Sequence, residues 1–151
     1  MIVTGGARGI GAATAKLAAT GGYAVCVNYL NGRDAAEEVV RETTARKGSA
    51  IAVHADVSSE AAVVELFEQV DARLGPVSAV VNNAATIAPQ MRLDAMEAAR
   101  IERMFAVNVL GSMLCAREGG SAHVDADRGP RRSNRQRIIG RGQVWIAGGI
   151  C

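Results

Sequence analysis

A glycine-rich segment near the N-terminus has the residue types and spacing that best fit a defined chemistry. Gly5, Gly9 and Gly11 follow the pattern Gly-x-x-x-Gly-x-Gly, between a short apolar run and a helical pattern. Glycine permits positive φ and a close approach of the backbone to a ligand, and a helix N-terminus attracts anions. A structural turn is the alternative interpretation, but the position between strand and helix favours binding of a dinucleotide pyrophosphate.

Three further polar motifs follow apolar runs or lie in a helical pattern. Asp56 and Val57 follow the third apolar run, residues 82–85 (Asn-Asn-Ala-Ala) follow the fourth, and Asn108 lies within residues 105–111. Each motif has an ordinary structural interpretation. Asp56 could cap the approach to a helix, the asparagine pair could satisfy loop backbone groups, and Asn108 could be a solvated helix position.

Taken together, the four motifs resemble those of the short-chain dehydrogenase/reductase family over about residues 1–118. Residues 4–11 match the family pattern TGxxxGxG, and residues 82–85 match NNAG with Ala85 in place of the last glycine. In the family, the pair that Asp56 and Val57 match lies beside the adenine, and the asparagine that Asn108 matches belongs to the catalytic tetrad. The resemblance implies a Rossmann-like, doubly wound parallel α/β sheet with the strand order 3-2-1-4.

The resemblance also implies hydride transfer between a nicotinamide dinucleotide and a small-molecule alcohol or carbonyl. Intact relatives are expected to form homo-oligomers through the helices after the fourth and fifth strands. The residues implied to contact the cofactor are Gly5, Arg8, Gly9, Ile10, Gly11, Asn28, Asp56, Val57, Asn83 and Ala84.

Two positions bear on the choice between NADP and NAD. A carboxylate at the end of the second strand would bind the ribose 2′-hydroxyl and select NAD, but this position is Asn28. Arg8 in the glycine loop offers a cation to a 2′-phosphate, although it could also be an ordinary exposed arginine. The sequence therefore favours NADP, with NAD as a possible cofactor.

The general acid/base pair of the family is absent from this chain. In the family, a tyrosine donates or accepts the proton, and a lysine four residues later lowers its pKa. The two tyrosines, Tyr23 and Tyr29, are followed four residues later by Val27 and Arg33. Asn108 is thus the only tetrad member present, and we expect this chain to be inactive.

Strands and helices that would position these motifs alternate along residues 1–118. Four apolar, β-branched runs predict strands over residues 1–3, 23–29, 50–55 and 77–81. Helices are predicted over residues 9–20, 34–47, 60–74 and 93–117, the last as one or two segments. The first helix should carry Ala13, Leu17 and Ala18 on one face, and Ser58 or Ser59 should cap the third.

Composition narrows the class of protein. The 151 residues suffice for one domain, and 49% hydrophobic with 21% charged residues is typical of a folded globular protein. No apolar run reaches the length of a membrane span, and because the glycine loop begins after three residues we expect no signal peptide. Three scattered cysteines predict reduced thiols in the cytoplasm, and no Cys/His spacing predicts a metal site.

The composition changes after about residue 118. Residues 1–118 carry 11 basic and 13 acidic residues, whereas residues 119–151 carry six arginines and two aspartates. We expect no nucleic-acid binding, because no recognition module accompanies the arginines. We therefore divide the chain into a partial NAD(P)-binding domain, 1–118, and an Arg/Gly-rich tail, 119–151.

A shift of reading frame near Glu118 would explain this tail. Translated in the shifted frame, residues 131–151 admit the sequence GGAIVNVSSVAARFGSPAEY, which resembles the family's fifth strand and the approach to its catalytic tyrosine. The hypothesis predicts a truncated sheet whose fourth strand has an unpaired edge, and a marginally stable chain. The first strand is also short against a typical five to six residues, so either it is short or the start is misplaced.

The sequence thus predicts a fragment of an NADP-preferring oxidoreductase. Two alternatives remain open: a non-catalytic NADP-binding module, and a truncated product without function.

Overall fold

Helices and strands alternate along the part of the chain that the computed structural model describes, which is residues 1–126 and the strand Trp145–Ile146, with side chains for residues 1–120. The strands are β1 (Ile2–Val3), β2 (Ala24–Tyr29), β3 (Ser49–His54), β4 (Val80–Asn82) and β5 (Trp145–Ile146). The α-helices are α1 (Gly9–Thr20), α2 (Arg33–Ala45), α3 (Glu60–Leu74), α4 (Ala98–Phe105) and α5 (Ser112–Ala126).

The five strands form one parallel sheet in the order β3-β2-β1-β4-β5. The short strand β1 lies in the middle, where Ile2 pairs with Cys26 on one side and Val80 on the other. Each helix crossover joins parallel strands, as a doubly wound sheet requires. The predicted Rossmann-like order 3-2-1-4 is therefore confirmed.

The predicted unpaired edge of β4 is wrong. Val81 and Asn82 pair in parallel with Trp145 and Ile146 of β5. An open strand edge offers unpaired N–H and C=O groups, and an aromatic residue beside a β-branched one suits a strand. The tail thus covers this edge over two residues, and the rest of the shifted-frame segment lies outside the described residues.

Two hydrophobic cores lie on opposite faces of the sheet, because successive strand residues point to opposite sides. Ile2, Cys26 and Val80 pack with residues of α3 and α5 on one face. Val3, Val25 and Val27 pack with residues of α1 and α2 on the other. The sheet is thereby covered on both sides over its central strands, as parallel sheets generally are.

The bounds of α1 and α3 match the prediction, and the Oγ of Ser59 caps α3 by accepting from Ala62 N–H at 3.4 Å. Of the predicted face of α1, Ala18 is partly buried against the core, whereas Ala13 and Leu17 are exposed. Its buried residues are Gly11, Ala12, Ala15 and Ala19, whereas Leu17 is 74% exposed. Small side chains allow α1 to pack close to β1 and β2, and this closeness leaves no room for leucine.

Helix α2 and strand β4 differ from the prediction by more than one residue at one end, whereas β1, β2 and β3 differ by one residue. Helix α2 ends at Ala45 instead of residue 47, and Lys47 has φ +64° before Gly48. Strand β4 begins three residues later than predicted and includes Asn82.

The predicted helical region 93–117 consists of several segments. A 3-10 turn, Leu93–Ala95, precedes α4, and a π-helical segment, Ala106–Gly111, joins α4 to α5. Helix α5 continues across residue 118, where the sequence predicts the domain boundary, to Ala126. Among the helices of the described part, none has the length and hydropathy needed to cross a membrane.

Candidate nucleotide-binding site

The predicted site residues gather at the carboxyl edge of the sheet. Thr4 follows β1, Asn83 follows β4 and Asp56 lies two residues beyond β3. The chain leaves β1 for β2 on one side, and it returns from β3 to β4 on the other side of β1, so the strand order reverses beside β1. Ligands of open α/β sheets bind at this kind of topological switch point.

The glycine loop between β1 and α1 depends on two left-handed glycines. Gly5 has φ +60° and Gly9 has φ +54°, a region that other residues rarely adopt. A Cβ on Gly5 would also lie 2.9 Å from Ala84 Cα, whereas a Cβ on Gly9 would have no neighbour within 4 Å among the residues that the structure describes. The backbone at Gly9 therefore faces open space that a ligand can enter.

The N-terminus of α1 has no side-chain cap. Its N-cap residue, Arg8, is extended and makes no capping hydrogen bond. The exposed side chains of Arg8 and Ile10 flank the same turn. First-turn N–H groups have no partner within a helix, so this terminus can bind an external anion such as a phosphate. The geometry fits the pyrophosphate of a dinucleotide.

Gly11 is required by the packing of the loop on β4. A Cβ there would lie 2.6 Å from Gly5 O and 2.5 Å from Asn83 Nδ2. The structure shows that its nearest neighbours are the loop itself and the side chain of Asn83.

Thr4 and Asn83 join the ends of β1 and β4. Thr4 Oγ1 accepts from Asn83 N–H and Ala84 N–H, both at 3.0 Å, and donates to Val81 O at 3.2 Å. Asn83 Nδ2 donates to Thr4 O at 2.9 Å and Gly5 O at 3.1 Å. The structural interpretation of Asn83 is therefore correct, because its amide holds the glycine loop in place.

Asn28 is buried and supports the loop from the other side. Its Nδ2 donates to Ala55 O at 3.1 Å and Val53 O at 3.4 Å, and its Oδ1 accepts from Gly5 N–H at 3.3 Å. The amide thus links β2, β3 and the glycine loop. A direct contact of Asn28 with the cofactor remains a prediction.

Asp56 is held by an Asx-type turn and by an arginine from α4. Its Oδ1 accepts from Ser58 N–H at 2.9 Å and Ser58 Oγ at 2.6 Å, and its Oδ2 accepts from Arg103 Nη2 at 3.1 Å. Burial disfavours the charged carboxylate, but the hydrogen bonds from Ser58 and Arg103 outweigh burial and lower the pKa of Asp56. This side chain is therefore an oriented anion near neutral pH.

Val57 packs against the π-helical segment. A Cβ on Gly111 would lie 2.8 Å from Val57 Cγ2 and 3.0 Å from Val57 O. The glycine therefore allows the segment that carries Asn108 to contact the loop after β3.

Asn108 is not a solvated helix position. Its Oδ1 accepts from Thr86 N–H at 2.8 Å, and its Nδ2 donates to Thr86 O at 3.0 Å. Its own carbonyl accepts from Ser112 Oγ at 3.0 Å. The side chain therefore fixes the loop after β4, within a π-helical segment of the kind often found at functional sites.

Sequence reasoning missed three residues that hold the site together: Thr86, Ser112 and Arg103. Their partners lie 22 to 47 residues away along the chain, except for the contact of Ser112 with Asn108. The Thr4 hydroxyl was also missed as a hydrogen-bonding centre, although it stands in the motif. The only sequence signal was the polar type of these residues.

The family of this chain is established by a comparison with known sequences, which agrees with the site described above. A sequence model of the short chain dehydrogenase family matches residues 1–130. The chain belongs to the short-chain dehydrogenase family. This oxidoreductase family was the one predicted from the four motifs.

The chain has similar sequences in bacteria and fungi. It is 44% identical over 117 residues to the uncharacterized oxidoreductase YgfF of Escherichia coli, an alignment that covers 78% of this chain and 47% of the relative. It is 39% identical over 117 residues to elsinochrome reductase 1 of Elsinoe fawcettii, covering 78% of this chain and 43% of the relative. The chain thus spans less than half the length of these two curated relatives.

Solved structures of the family share the fold. A metagenomic short-chain oxidoreductase in complex with NADP aligns with a TM-score of 0.78 at 31% identity, over 85% of this chain and 57% of that chain. A short chain dehydrogenase from Burkholderia cenocepacia in complex with NADP aligns with a TM-score of 0.75 at 33% identity, over 80% of this chain and 49% of that chain. The Rossmann-like fold is therefore shown.

Proposed function

We propose that this chain binds NADP(H) at the carboxyl edge of its sheet, as part of an oxidoreductase that interconverts an alcohol and a carbonyl compound. The uncapped N-terminus of α1, behind two left-handed glycines, is the observation that carries the proposal. Two similar structures hold NADP. The bound cofactor would supply the hydride, and the chain would bind and orient it.

The pyrophosphate would lie over the glycine loop. The residues proposed to surround it are Gly5, Arg8, Gly9, Ile10 and Gly11. Backbone N–H groups would donate to the phosphate oxygens, and the helix dipole would favour their charge. Because Arg8 is exposed, its guanidinium could turn toward the bound phosphates and donate hydrogen bonds to them.

The remaining proposed contacts lie on either side of this loop. Asp56 and Val57 would contact the adenine, and Asn28 would support the ribose side of the pocket. Asn83 and Ala84 would line the route toward the nicotinamide. The hydrogen bonds of Asn83 and Asn28 to the glycine loop support this arrangement, because they hold the proposed contacts in one rigid unit.

NADP is the proposed preference over NAD. Arg8 offers a cation, and Asn28 replaces the carboxylate that would bind a ribose 2′-hydroxyl. A guanidinium binds a phosphate through charge-assisted hydrogen bonds. NAD would still bind through the pyrophosphate and adenine contacts, but more weakly.

The chain is proposed to bind without turnover. Asn108 is the only residue carried over from the catalytic tetrad, and no tyrosine in the sequence precedes a lysine by four residues. Without that pair, no group in the proposed roles could protonate a substrate oxygen. The second candidate, a product without function, would neither bind the cofactor nor turn it over.

Intact relatives are proposed to be homo-oligomers, and this chain retains a surface that fits. Phe105 is 62% exposed and Met113 is 66% exposed, and Ile101 and Leu110 are also accessible on the same helical stretch. Exposed apolar side chains in such a stripe favour protein–protein contact. Sedimentation should show self-association that Phe105→Ser weakens, and a monomer at all concentrations would contradict this.

The reducing cytoplasm is the proposed compartment. Cys26 and Cys115 are buried free thiols, and unpaired cysteines are usual in that environment.

Titration of the purified chain with NADPH and NADH, followed by thermal unfolding, tests cofactor binding. We expect stabilisation by both nucleotides and a larger effect of NADPH. Arg8→Ala should remove most of the difference, whereas Arg46→Ala, an exposed arginine at the end of α2, should not. The absence of any shift with the wild-type chain would favour the product without function.

An activity assay tests the absence of turnover. NADPH oxidation should not exceed the buffer rate with a panel of ketones and aldehydes. Turnover above that rate, in a preparation free of other reductases, would contradict the proposed loss of chemistry.

A further inference from the structure

Arg103 connects α4 to the segment that follows β3. Its Nη1 donates to Ser58 Oγ at 2.8 Å, and its Nη2 donates to Asp56 Oδ2 at 3.1 Å. The two partners lie 45 and 47 residues away in sequence. One guanidinium thus binds both members of the Asx-type turn.

This contact leaves one side of the Asp56 carboxylate available. Ser58 occupies Oδ1 with two hydrogen bonds, and Arg103 occupies Oδ2 with one. A carboxylate offers about four acceptor positions, so Oδ2 retains one. Its direction is fixed because both oxygens are already bound.

Helix α4 depends on arginine side chains for its attachment. None of its residues is buried, and within the described segments its side-chain hydrogen bonds to other elements come from Arg100 and Arg103. Arg100 reaches Pro89 O in the loop after β4. Arg103 is therefore the residue that ties the position of α4 to that of Asp56.

We propose that Arg103 is a positioning residue for adenine recognition, which orients Asp56 Oδ2 to accept a hydrogen bond from the exocyclic amino group. The inference rests on the proposed function, in which Asp56 contacts the adenine. Arg103 would not touch the nucleotide. It would set the direction of an acceptor that reads the amino group, and so distinguish adenine from a base with a carbonyl at that position.

Two dinucleotides that differ at position 6 of the purine, and in the proton on the adjacent N1, provide the test. The full 151-residue chain would be titrated with NADPH and with reduced nicotinamide hypoxanthine dinucleotide phosphate, which carries a carbonyl instead of the amino group. A hydrogen bond to a charged group is worth enough that the wild-type chain should prefer NADPH by about tenfold or more. Arg103→Ala should reduce this ratio to about twofold or less, and Arg103→Lys should restore part of it.

A structural role would give a different result. If Arg103 only stabilised the fold, Arg103→Ala would weaken both dinucleotides equally and leave the ratio unchanged, which would overturn the proposal. Arg100→Ala is the matched control, because it removes an arginine from the same helix without touching Asp56, and its ratio should equal the wild-type ratio.

A second measurement needs no nucleotide, and so separates this inference from the proposed function. The carboxyl group of Asp56 can be titrated by carbon NMR in the wild-type chain and in both arginine variants. Arg103→Ala should raise the pKa of Asp56 relative to wild type and to Arg100→Ala. An unchanged pKa would show that Arg103 does not hold the carboxylate, even if the chain binds no dinucleotide.

Discussion

The side chain of Asn108 pairs reciprocally with the backbone of Thr86, accepting from its N–H at 2.8 Å and donating to its carbonyl at 3.0 Å. The amide therefore behaves like a strand partner for one residue of the loop after β4. The asparagine that the sequence singled out for chemistry also has a structural role, and the two can be separated by experiment.

Asn108→Asp should destabilise the chain. The carboxylate keeps the acceptor for Thr86 N–H but loses the donor, and places a negative charge against Thr86 O. We expect a loss of about 1–3 kcal/mol in the free energy of unfolding, measured by urea denaturation. The matched control is Asn31→Asp on an exposed loop, which should change stability little. Equal effects of the two substitutions would contradict the structural role of Asn108.

Gly111→Ala should destabilise the contact between the π-helical segment and Val57. The added Cβ would lie 3.0 Å from Val57 O, a backbone atom that cannot move away alone. Overpacking of this kind costs about 1–3 kcal/mol.

Gly120→Ala on α5 is the control for Gly111→Ala, because a Cβ there has no neighbour within 4 Å in the described part of the chain. Alanine is favoured over glycine in a helix by about 0.8–1.0 kcal/mol, so this variant should be more stable than wild type. Thermal unfolding would measure both variants, and opposite signs are expected. If Gly120→Ala also destabilised the chain, the loss of stability in Gly111→Ala could not be assigned to the contact with Val57.

Cys26 and Cys115 should resist alkylation while the chain is folded. Burial raises the pKa of Cys26 to about 12 and that of Cys115 to about 11, and the thiolate is the reactive form. Mass spectrometry after iodoacetamide treatment near neutral pH should show both cysteines unmodified. Both should react in concentrated guanidinium chloride. Rapid modification of Cys26 without denaturant would show that β2 is not buried.

Asp56 should contribute to the acid sensitivity of the chain. Its pKa is below the usual 3.8 in the folded state, so its contribution to stability is complete above that value. The contribution is lost as the pH falls from 3.8 through the folded pKa, because the unfolded state then binds more protons.

Ser58→Ala should reduce this acid sensitivity, because it removes the hydroxyl that donates to Asp56 at 2.6 Å. We expect the variant to be less stable than wild type near neutral pH, with the difference shrinking as the pH falls below 3.8. Ser78→Ala, at an exposed loop position, should leave the pH profile unchanged. A constant difference at every pH would mean that Ser58 does not act through the carboxylate.

Sequencing the gene across the codons of residues 110–151 tests the hypothesis of a shifted frame. We expect a single-base change near the codon of Glu118 relative to an intact reading frame in close relatives. An unchanged frame in independent isolates would contradict the hypothesis.

Local patterns predicted the elements of the fold well. The glycine spacing located the start of α1, and Ser59 with the acidic residue after it located the start of α3. These signals are short-range, because caps and turns depend on adjacent residues. The position of Leu17 on α1 was predicted wrongly. An alanine-rich helix has no marked apolar face, so the packing distance to the sheet decides that Leu17 points to solvent.

The hydrogen bonds of the site were less predictable. Asn83 and Asn108 could be chosen as motif residues, but their partners Thr4 and Thr86 are fixed by strand order and by a π-helical segment. No sequence pattern indicated that Arg103 reaches Asp56, because a single arginine on an amphipathic helix normally faces solvent. Pairing of Trp145 and Ile146 with β4 was missed because the tail lacks a strand pattern of typical length.

The link between Thr4 and Asn83 has a consequence for the order of folding. These residues are 79 positions apart, and their hydrogen bonds set the shape of the glycine loop. Contacts between distant residues form late, because closing a long chain segment costs entropy before any contact compensates for it. A nascent chain that extends only to β3 already contains all three glycines of the loop, yet lacks the side chain that shapes them. Competence to bind a dinucleotide should therefore arise in one step, when β4 docks beside β1.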